Sequence, residues 1–466
     1  MKSMSKLSIL AVAALFAFAT GTASATNGYF THGSGTKNKG MAGAGIAGAS
    51  DSISIANNPA SAVFAIGKLD VGAALFSPIR SYSTTDSVYN GAGTAFTIGP
   101  NDEDSGREYF VIPHVAYTWG IGEQSALGLA FYGRGGMNSK WGGGTASFTN
   151  PQTGTVVTAP GTFGNGTAGV DLSQAFLDVA FASKLGDQFA WGVALVGVVQ
   201  SFEAYGVSTF APFTQTFAES GGTAFPGDLS GNGHEFSYGI GAKVGVDWAL
   251  TDRFIIAASY QSEIDMSELD TYSDLFAESG DFDIPADAKV GLTWRINESF
   301  SISVDAEYIW YSDIGSVGNP FANIFTCPTV NPASTDFSGC LGANNGAGFG
   351  WEDMTVYKAG VEWTPASSSW TWRAGYSTGD APIPETEIMF NILAPATIED
   401  HIAAGFTRKM SETSELNLSF MYAFENKITG PNFFDFNQLA PPVGPPQDIE
   451  IRMYQWELEL SYSWRF

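Results

Sequence analysis

Stretches of about ten residues in which apolar and polar side chains strictly alternate recur along this chain, and they constrain its fold more than any other feature. In residues 301–310, Ile302, Val304, Ala306, Tyr308 and Trp310 share one face, while Ser303, Asp305 and Glu307 share the other. The last segment repeats the pattern. Trp456, Leu458, Leu460, Tyr462, Trp464 and Phe466 alternate there with Gln455, Glu457, Glu459, Ser461, Ser463 and Arg465. Residues 238–248, 288–295 and 415–424 follow the same rule. A period of two describes a strand with one apolar and one polar face, and about ten residues is the length at which a tilted strand spans a bilayer.

The connections sort themselves just as regularly. After Gly67 the chain reads as fourteen strands. Short connections lie at 120–124, 186–187, 249–253, 296–299, 364–368 and 409–414. Long ones lie at 81–108, 133–173, 203–235, 264–287, 311–353, 377–396 and 425–452, and the two kinds alternate without a break. A soluble sandwich has no reason to segregate its loops, whereas an outer-membrane barrel has short periplasmic turns and long external loops. Trp119, Trp248, Trp294, Trp363 and Trp464 each end a strand on the short-turn side, the level at which indole favours a membrane–water interface. After the first 25 residues no stretch has the uninterrupted apolar length of a spanning helix. A closed barrel is the other structure that can cross a bilayer. The expected fold is therefore all-β: a transmembrane 14-stranded antiparallel barrel over residues 68–466.

Residues 1–25 read as an export signal peptide, removed in the mature protein. Lys2 and Lys6 precede an apolar run from Leu7 to Ala19, and Ala23-Ser24-Ala25 has the small-x-small form of a cleavage site. The run is too short for an anchoring helix. With 47 acidic against 21 basic residues, no basic face is available for nucleic acid. Cys327 and Cys340 are the only cysteines. Export to an oxidising compartment favours a disulfide between them, with metal binding as the alternative, although no His or paired carboxylate flanks the pair. His32, His114, His234 and His401 form no readable catalytic set, so neither enzyme activity nor a cofactor is expected.

Residues 26–67 are rich in glycine and small polar side chains, and end in Asn58-Pro59-Ala60. The segment NGYFTHGSGTKNKGMAGAGIAGASDSISIANNPA resembles the amino terminus of the FadL family of outer-membrane transporters for long-chain fatty acids and related hydrophobic compounds. The resemblance continues through YQSEIDMSEL, FDIPADAKVGLTW and YKAGVEW…WTWRAGYSTGDAPIPE, and so covers essentially the whole mature chain. It implies that residues 26–67 form a hatch inside the barrel, with Asn58, Pro59 and Ala60 at its exit. It also implies a location in the Gram-negative outer membrane, among lipid and lipopolysaccharide. The terminal Phe466 resembles the signal read by the barrel assembly machinery.

The same resemblance places an external capture groove on two long loops, where Phe210, Phe213, Phe217, Phe225, Leu269, Tyr272, Leu275 and Phe276 are the ligand-contact candidates. It implies a lateral exit at a kink in the third strand, where residues 126–132 run into Gly133, Arg134, Gly135 and Gly136. Glycine interrupts regular pairing and lets a strand bend. Strand parity turns Lys243, Lys289, Lys358 and Arg373 inward as candidates for a carboxylate headgroup, among the acids Asp305, Glu307, Glu362, Glu457 and Glu459. Pairing of these ions with one another is the competing expectation. The family's headgroup-binding residues find no match here, which leaves aromatic or alkane hydrocarbons open as cargo. A general porin, an outer-membrane hydrolase and an adhesin are the rival readings.

Overall fold

A computed structural model describes residues 26–91, 96–150, 153–436 and 444–466 of the protein. The expected signal peptide lies outside the described residues. Fourteen long strands form the wall: β1 (Lys68–Thr84), β2 (Phe110–Ile121), β3 (Ser125–Asn138), β4 (Gly169–Leu185), β5 (Phe189–Tyr205), β6 (Glu235–Ala249) and β7 (Phe254–Gln261), followed by β8 (Asp287–Asn297), β9 (Phe300–Ile309), β10 (Met354–Trp363), β11 (Trp370–Gly379), β12 (Asp400–Lys409), β13 (Ser414–Pro431) and β14 (Asp448–Arg465). Each pairs antiparallel with the next. The cylinder closes between β1 and β14, where Lys68 lies opposite Arg465 and Thr84 opposite Ile449. No helix among the described residues is long and apolar enough to cross a membrane.

Alternation decides which way each side chain points. Val71, Leu75, Val193, Leu195, Val304 and Leu460 lie on the outer face and are exposed, as a lipid-facing surface requires. Trp248, Trp294, Trp363 and Trp464 are exposed at the short-turn end, and Trp372 joins them, stacked on Trp370. A second belt, which the tryptophan pattern did not reveal, lies near the long-loop end: Tyr238, Tyr260, Tyr357 and Tyr376 are all exposed there. Two aromatic levels bracket an apolar band.

Several strands run further than alternation suggested. β1 continues to Thr84, β3 to Asn138, β5 to Tyr205 and β13 to Pro431. At their outer ends these strands still pair with neighbours, and those of β1, β3 and β5 bury residues on both faces, so the period-two signal fades where the ladder does not.

Residues 26–67 touch the inward side of all fourteen strands. Wall carboxylates accept hydrogen bonds from their backbone: Asp305 from the amides of Gly45 (2.7 Å) and Ile46 (2.9 Å), Asp247 from Gly48 (2.7 Å), and Asp70 from Ser52 (2.5 Å) and Ile53 (3.2 Å). Thr293 and Ser259 donate to the carbonyls of Ala47 and Asn57. Lys37 pairs with Glu415 on β13, and Lys39 sits between Glu457 and Glu459 of β14, at 2.9 and 2.8 Å. The turn Pro59–Phe64 packs on β4 and β5, and Ile55 lies against β3. Lys358 of β10 donates to the His32 carbonyl, and Thr118 of β2 approaches Ser52. This is how a segment poor in its own secondary structure satisfies buried backbone groups.

Wall glycines make room for it. A Cβ at Gly375 of β11 would lie 2.2 Å from the Met41 carbonyl, and one at Gly405 of β12 would lie 3.2 Å from Gly40. At Gly192 of β5 it would meet the Ala60 amide at 2.5 Å, and at Gly245 of β6 the Asn58 side chain at 2.0 Å. Asn58 caps the turn that follows by accepting from the Ala60 amide, Pro59 occupies the first turn, and the Asn58 amide group donates to Val246.

Candidate functional site

Above this polar, glycine-lined floor the interior changes character. All seven long loops send aromatic side chains into one continuous buried cluster, which includes Phe96, Phe163, Phe210, Phe276, Trp351, Phe390 and Phe433. Phe210 lies 5.5 Å from Phe96, 5.4 Å from Phe163 and 5.8 Å from Phe390 between ring centroids. Phe202, at the top of β5, packs on Tyr272 at 4.9 Å and Phe276 at 4.8 Å. Burial pushes the Tyr272 phenol up to about 12, and its hydroxyl donates to the Gly233 carbonyl at 2.6 Å, so the ring stays neutral.

The eight capture candidates therefore do not line an open groove. Phe210, Phe217, Leu269, Tyr272, Leu275 and Phe276 are buried and Phe213 is half-buried. Only Phe225 is strongly exposed, at 65%, with its ring against Phe217. Loops read one at a time gave apolar residues in search of a ligand, whereas the folded loops satisfy them with one another. Cys327 and Cys340 form a disulfide among these loops, packed with Ala218 and Ala343, which leaves no thiols for the metal alternative.

The third strand is broken where its glycines cluster, but it does not end there. β2 and β3 pair from Ile121–Ser125 up to His114–Tyr132 and no further. Above that level Phe110, Val111, Ile112 and Pro113 pair only with β1. β3 goes on with β4 after a register shift between Gly133 and Gly135. The freed edge of β3 bonds instead to the amino terminus: the Thr31 amide donates to Arg134 at 2.9 Å, and the Gly136 amide to Tyr29 at 3.0 Å. A side chain at Gly135 would strike Gln174 and crowd Tyr29. Gly133, Gly135 and Gly136 thus sit at a seam in the wall filled by Tyr29, Phe30 and Thr31.

Arg134 sits at the bulge and points inward, on the same face as Tyr132, because β3 continues where a loop was expected. Its guanidinium reaches Asp287 at 2.7 Å and Gln261 at 2.9 Å, and lies 4.2 Å over the Phe30 ring. Tyr29 in turn packs on Tyr311 at 5.3 Å and Trp351 at 5.9 Å. The apolar cluster is consequently unbroken from the outer loops to the seam.

Each of the four headgroup candidates already has a protein partner. Lys243 pairs with Asp178 at 2.8 Å and also reaches the Ala56 carbonyl. Lys289 lies between Asp287 and Glu307, Lys358 pairs with Glu307 at 2.6 Å, and Arg373 pairs with Glu362 at 2.6 Å. A carboxylate ligand at any of them must displace a protein carboxylate. Next to Lys289 and Lys358, the gap between amino-terminal segment and wall is only about 10 Å³. An open cavity of about 670 Å³ lies at the short-turn mouth, lined by Lys68, Lys409, Glu412, Glu415 and Arg465, far from the aromatic layer. His114 faces Glu459, and His401 stacks on His32 at 6.1 Å.

The model of the outer membrane protein transport protein family (OMPP1/FadL/TodX) matches residues 16–431. The chain belongs to this family. Its cargo is hydrophobic small molecules, and its members reside in the outer membrane. No curated protein sequence matches the chain. Among solved structures, it is similar to a Pseudomonas aeruginosa FadL homologue, with a TM-score of 0.61 at 15% identity over 94% of this chain and 100% of the other. It is also similar to the toluene transporter TodX of P. putida (TM-score 0.57, 15% identity, 93% and 99% covered). The toluene transporter TbuX of Ralstonia pickettii gives 0.56 at 16% identity, with 93% and 99% covered. At these identities the likeness concerns the fold, so the cargo of this FadL/TodX-family barrel has to be argued from its own residues.

Proposed function

We propose that this protein takes up long-chain fatty acids or related hydrophobic compounds. The aromatic loop layer captures them, they pass into the apolar upper lumen, and they leave sideways through the β2–β3 seam once residues 26–67, acting as a hatch, shift. The carrying observation is the seam. Wall pairing stops at His114–Tyr132, and the freed edge of β3 beyond it is bonded by the segment Tyr29, Phe30 and Thr31. An apolar solute gains nothing from an aqueous pore, since leaving apolar contacts for water costs about 25 cal/mol per Å². A side exit delivers it to lipid instead. Phe210, Phe213 and Phe217 are assigned to capture, because contacts between rings can be exchanged for contacts with a ligand without stranding a polar group.

Monoaromatic hydrocarbons are the second reading. The toluene transport named for TodX and TbuX favours it, as does the pairing of Lys243, Lys289, Lys358 and Arg373 with protein acids.

The test is a short thiol cross-link between Pro113→Cys and Gly133→Cys, the next pair that the β2–β3 register would make. Uptake of labelled hexadecanoic acid and of toluene by intact cells should fall on cross-linking and recover on reduction. Uptake that is indifferent to the cross-link removes the side exit.

A further inference from the structure

Six Lys and Arg side chains are buried among the described residues: Lys39, Arg80, Arg134, Lys243, Lys358 and Arg373. Five have a carboxylate within 4.0 Å. Arg80 has none. It points inward from β1 and is 2% exposed, and its Nη1 has no hydrogen-bond partner. The segments outside the described residues contain no Asp or Glu that could serve. A guanidinium stays charged at any physiological pH, and a buried charge needs a counter-charge.

A second unsatisfied group sits beside it. Gln455 of β14 is fully buried, and neither its Nε2 nor its Oε1 finds a partner. In the β1–β14 register Arg80 lies opposite Met453 and Gln455 opposite Pro78, so Arg80 and Gln455 are diagonal neighbours on the inward face. Further down the same wall, Ala74, Phe76, Phe110 and Ile112 form an apolar cluster of their own. Phe76 is four residues from Arg80, roughly 13 Å along a strand. Phe110 and Ile112 belong to the stretch of β2 that borders the seam.

We propose that Arg80 and Gln455 form the carboxylate site of this barrel, holding the head of a long-chain monocarboxylate whose tail lies along Phe76, Phe110 and Ile112 toward the seam. The planar guanidinium presents paired N–H donors that match a carboxylate, and the Gln455 Nε2 adds another. The inference rests on the hydrophobic-uptake reading above and narrows its cargo to an anion. It places that anion at a residue distinct from the four paired cations.

Equilibrium binding of labelled hexadecanoic acid and of its methyl ester to the purified full-length barrel in detergent tests it. The wild type should bind the acid at least tenfold more tightly than the ester, a ratio worth about 1.4 kcal/mol. Arg80→Gln should abolish that ratio and leave ester affinity within twofold, Arg80→Lys should keep part of it, and Gln455→Leu should reduce it several-fold. A wild-type ratio near one overturns the proposal, as does an Arg80→Gln barrel that still prefers the acid. Should Arg80→Gln fail to assemble, judged by heat-modifiable gel migration, the wild-type ratio and Gln455→Leu decide. If neither acid nor ester binds the wild type, the hydrophobic-uptake reading falls as well, whereas ester binding without acid preference removes only the Arg80 site.

Discussion

The lower and upper halves of the interior are both well buried, but they are held by different forces. Below, residues 26–67 meet the wall through glycines, backbone amides on Asp70, Asp247 and Asp305, and buried ion pairs such as Lys39 with Glu457 and Glu459. Above, loops meet loops through rings such as Phe96, Phe210, Phe390 and Phe434. Hydrogen bonds and ion pairs are directional, and a buried partner left alone is expensive. Ring packing tolerates another apolar group in place of a neighbour. The floor is therefore built to hold one position, and the roof to exchange contacts. A transport protein for apolar cargo needs both.

The sharpest way to break this contrast is to deny the floor its space. Gly375→Leu places a side chain where the Met41 carbonyl lies, and residues 26–67 cannot seat. Ion conductance across a planar bilayer should rise roughly tenfold or more, since a barrel of this size encloses a water-accessible lumen. A correctly folded variant that stays closed would mean that this glycine contact does not control the seal.

Removing a floor charge should act less drastically. Lys39→Met leaves Glu457 and Glu459 buried together without their cation. Breaking a buried pair by deleting one partner costs about 3–5 kcal/mol. The loss should appear as protease cleavage within residues 26–67 of the assembled barrel. Equal protection in the variant would show that the aspartate–amide bonds alone fix the floor.

In the roof the corresponding fastener is covalent. Opening the Cys327–Cys340 bridge, which spans 13 residues, removes about 3 kcal/mol for a loop of this length. Cys327→Ser with Cys340→Ser should loosen residues 310–353 in hydrogen exchange and leave the wall strands protected. Loosening that spreads to residues 26–67 would mean that roof and floor are one cooperative unit.

The fold was readable because a membrane wall obeys a strict rule. Residues such as Leu458 and Leu460 must face lipid while Glu457 and Glu459 face inward, and the period of two leaves little choice. Loop alternation then sets strand number and orientation. The interior was less readable, because nothing periodic governs it. Gly375 and Gly405 look like weak points in a strand until the segment they accommodate is in place. Gly133–Gly136 suggested a strand end, because the bond from the amino terminus that sustains β3 comes from about a hundred residues earlier in sequence. Arg80 follows Ser77 and Pro78, where both faces are buried and parity fails. Lys243 and Lys358 were placed inward correctly, but parity carries no information about which acid each one meets.

The smallest expected effect concerns how the two regions treat their acids. Floor carboxylates are met by cations, as Glu457 and Glu459 are by Lys39, or by backbone amides, as Asp70, Asp247 and Asp305 are, whereas Glu263, Asp265, Asp281 and Asp283 gather in one external loop region with no cation paired to them among the described residues. There a proton takes the place of a cation. Burial, followed by repulsion from Asp283, Glu278 and Glu263, pushes the Asp281 carboxyl up to about 8, while Asp283 accepts from the Met266 amide at 2.7 Å. An unfolded Asp titrates near about 4. Between those values the folded loop binds more protons than the unfolded one, so its stability is greatest below about pH 4 and falls as pH rises toward about 8. Limited proteolysis of residues 262–286, normalised to an unfolded reference, should therefore be faster at about pH 8.5 than at about pH 6. Asp281→Asn should flatten that difference by keeping the neutral hydrogen bond to Asp283 at every pH. A wild-type loop equally resistant at both pH values would remove the shared proton, and with it the claim that the roof manages charge differently from the floor.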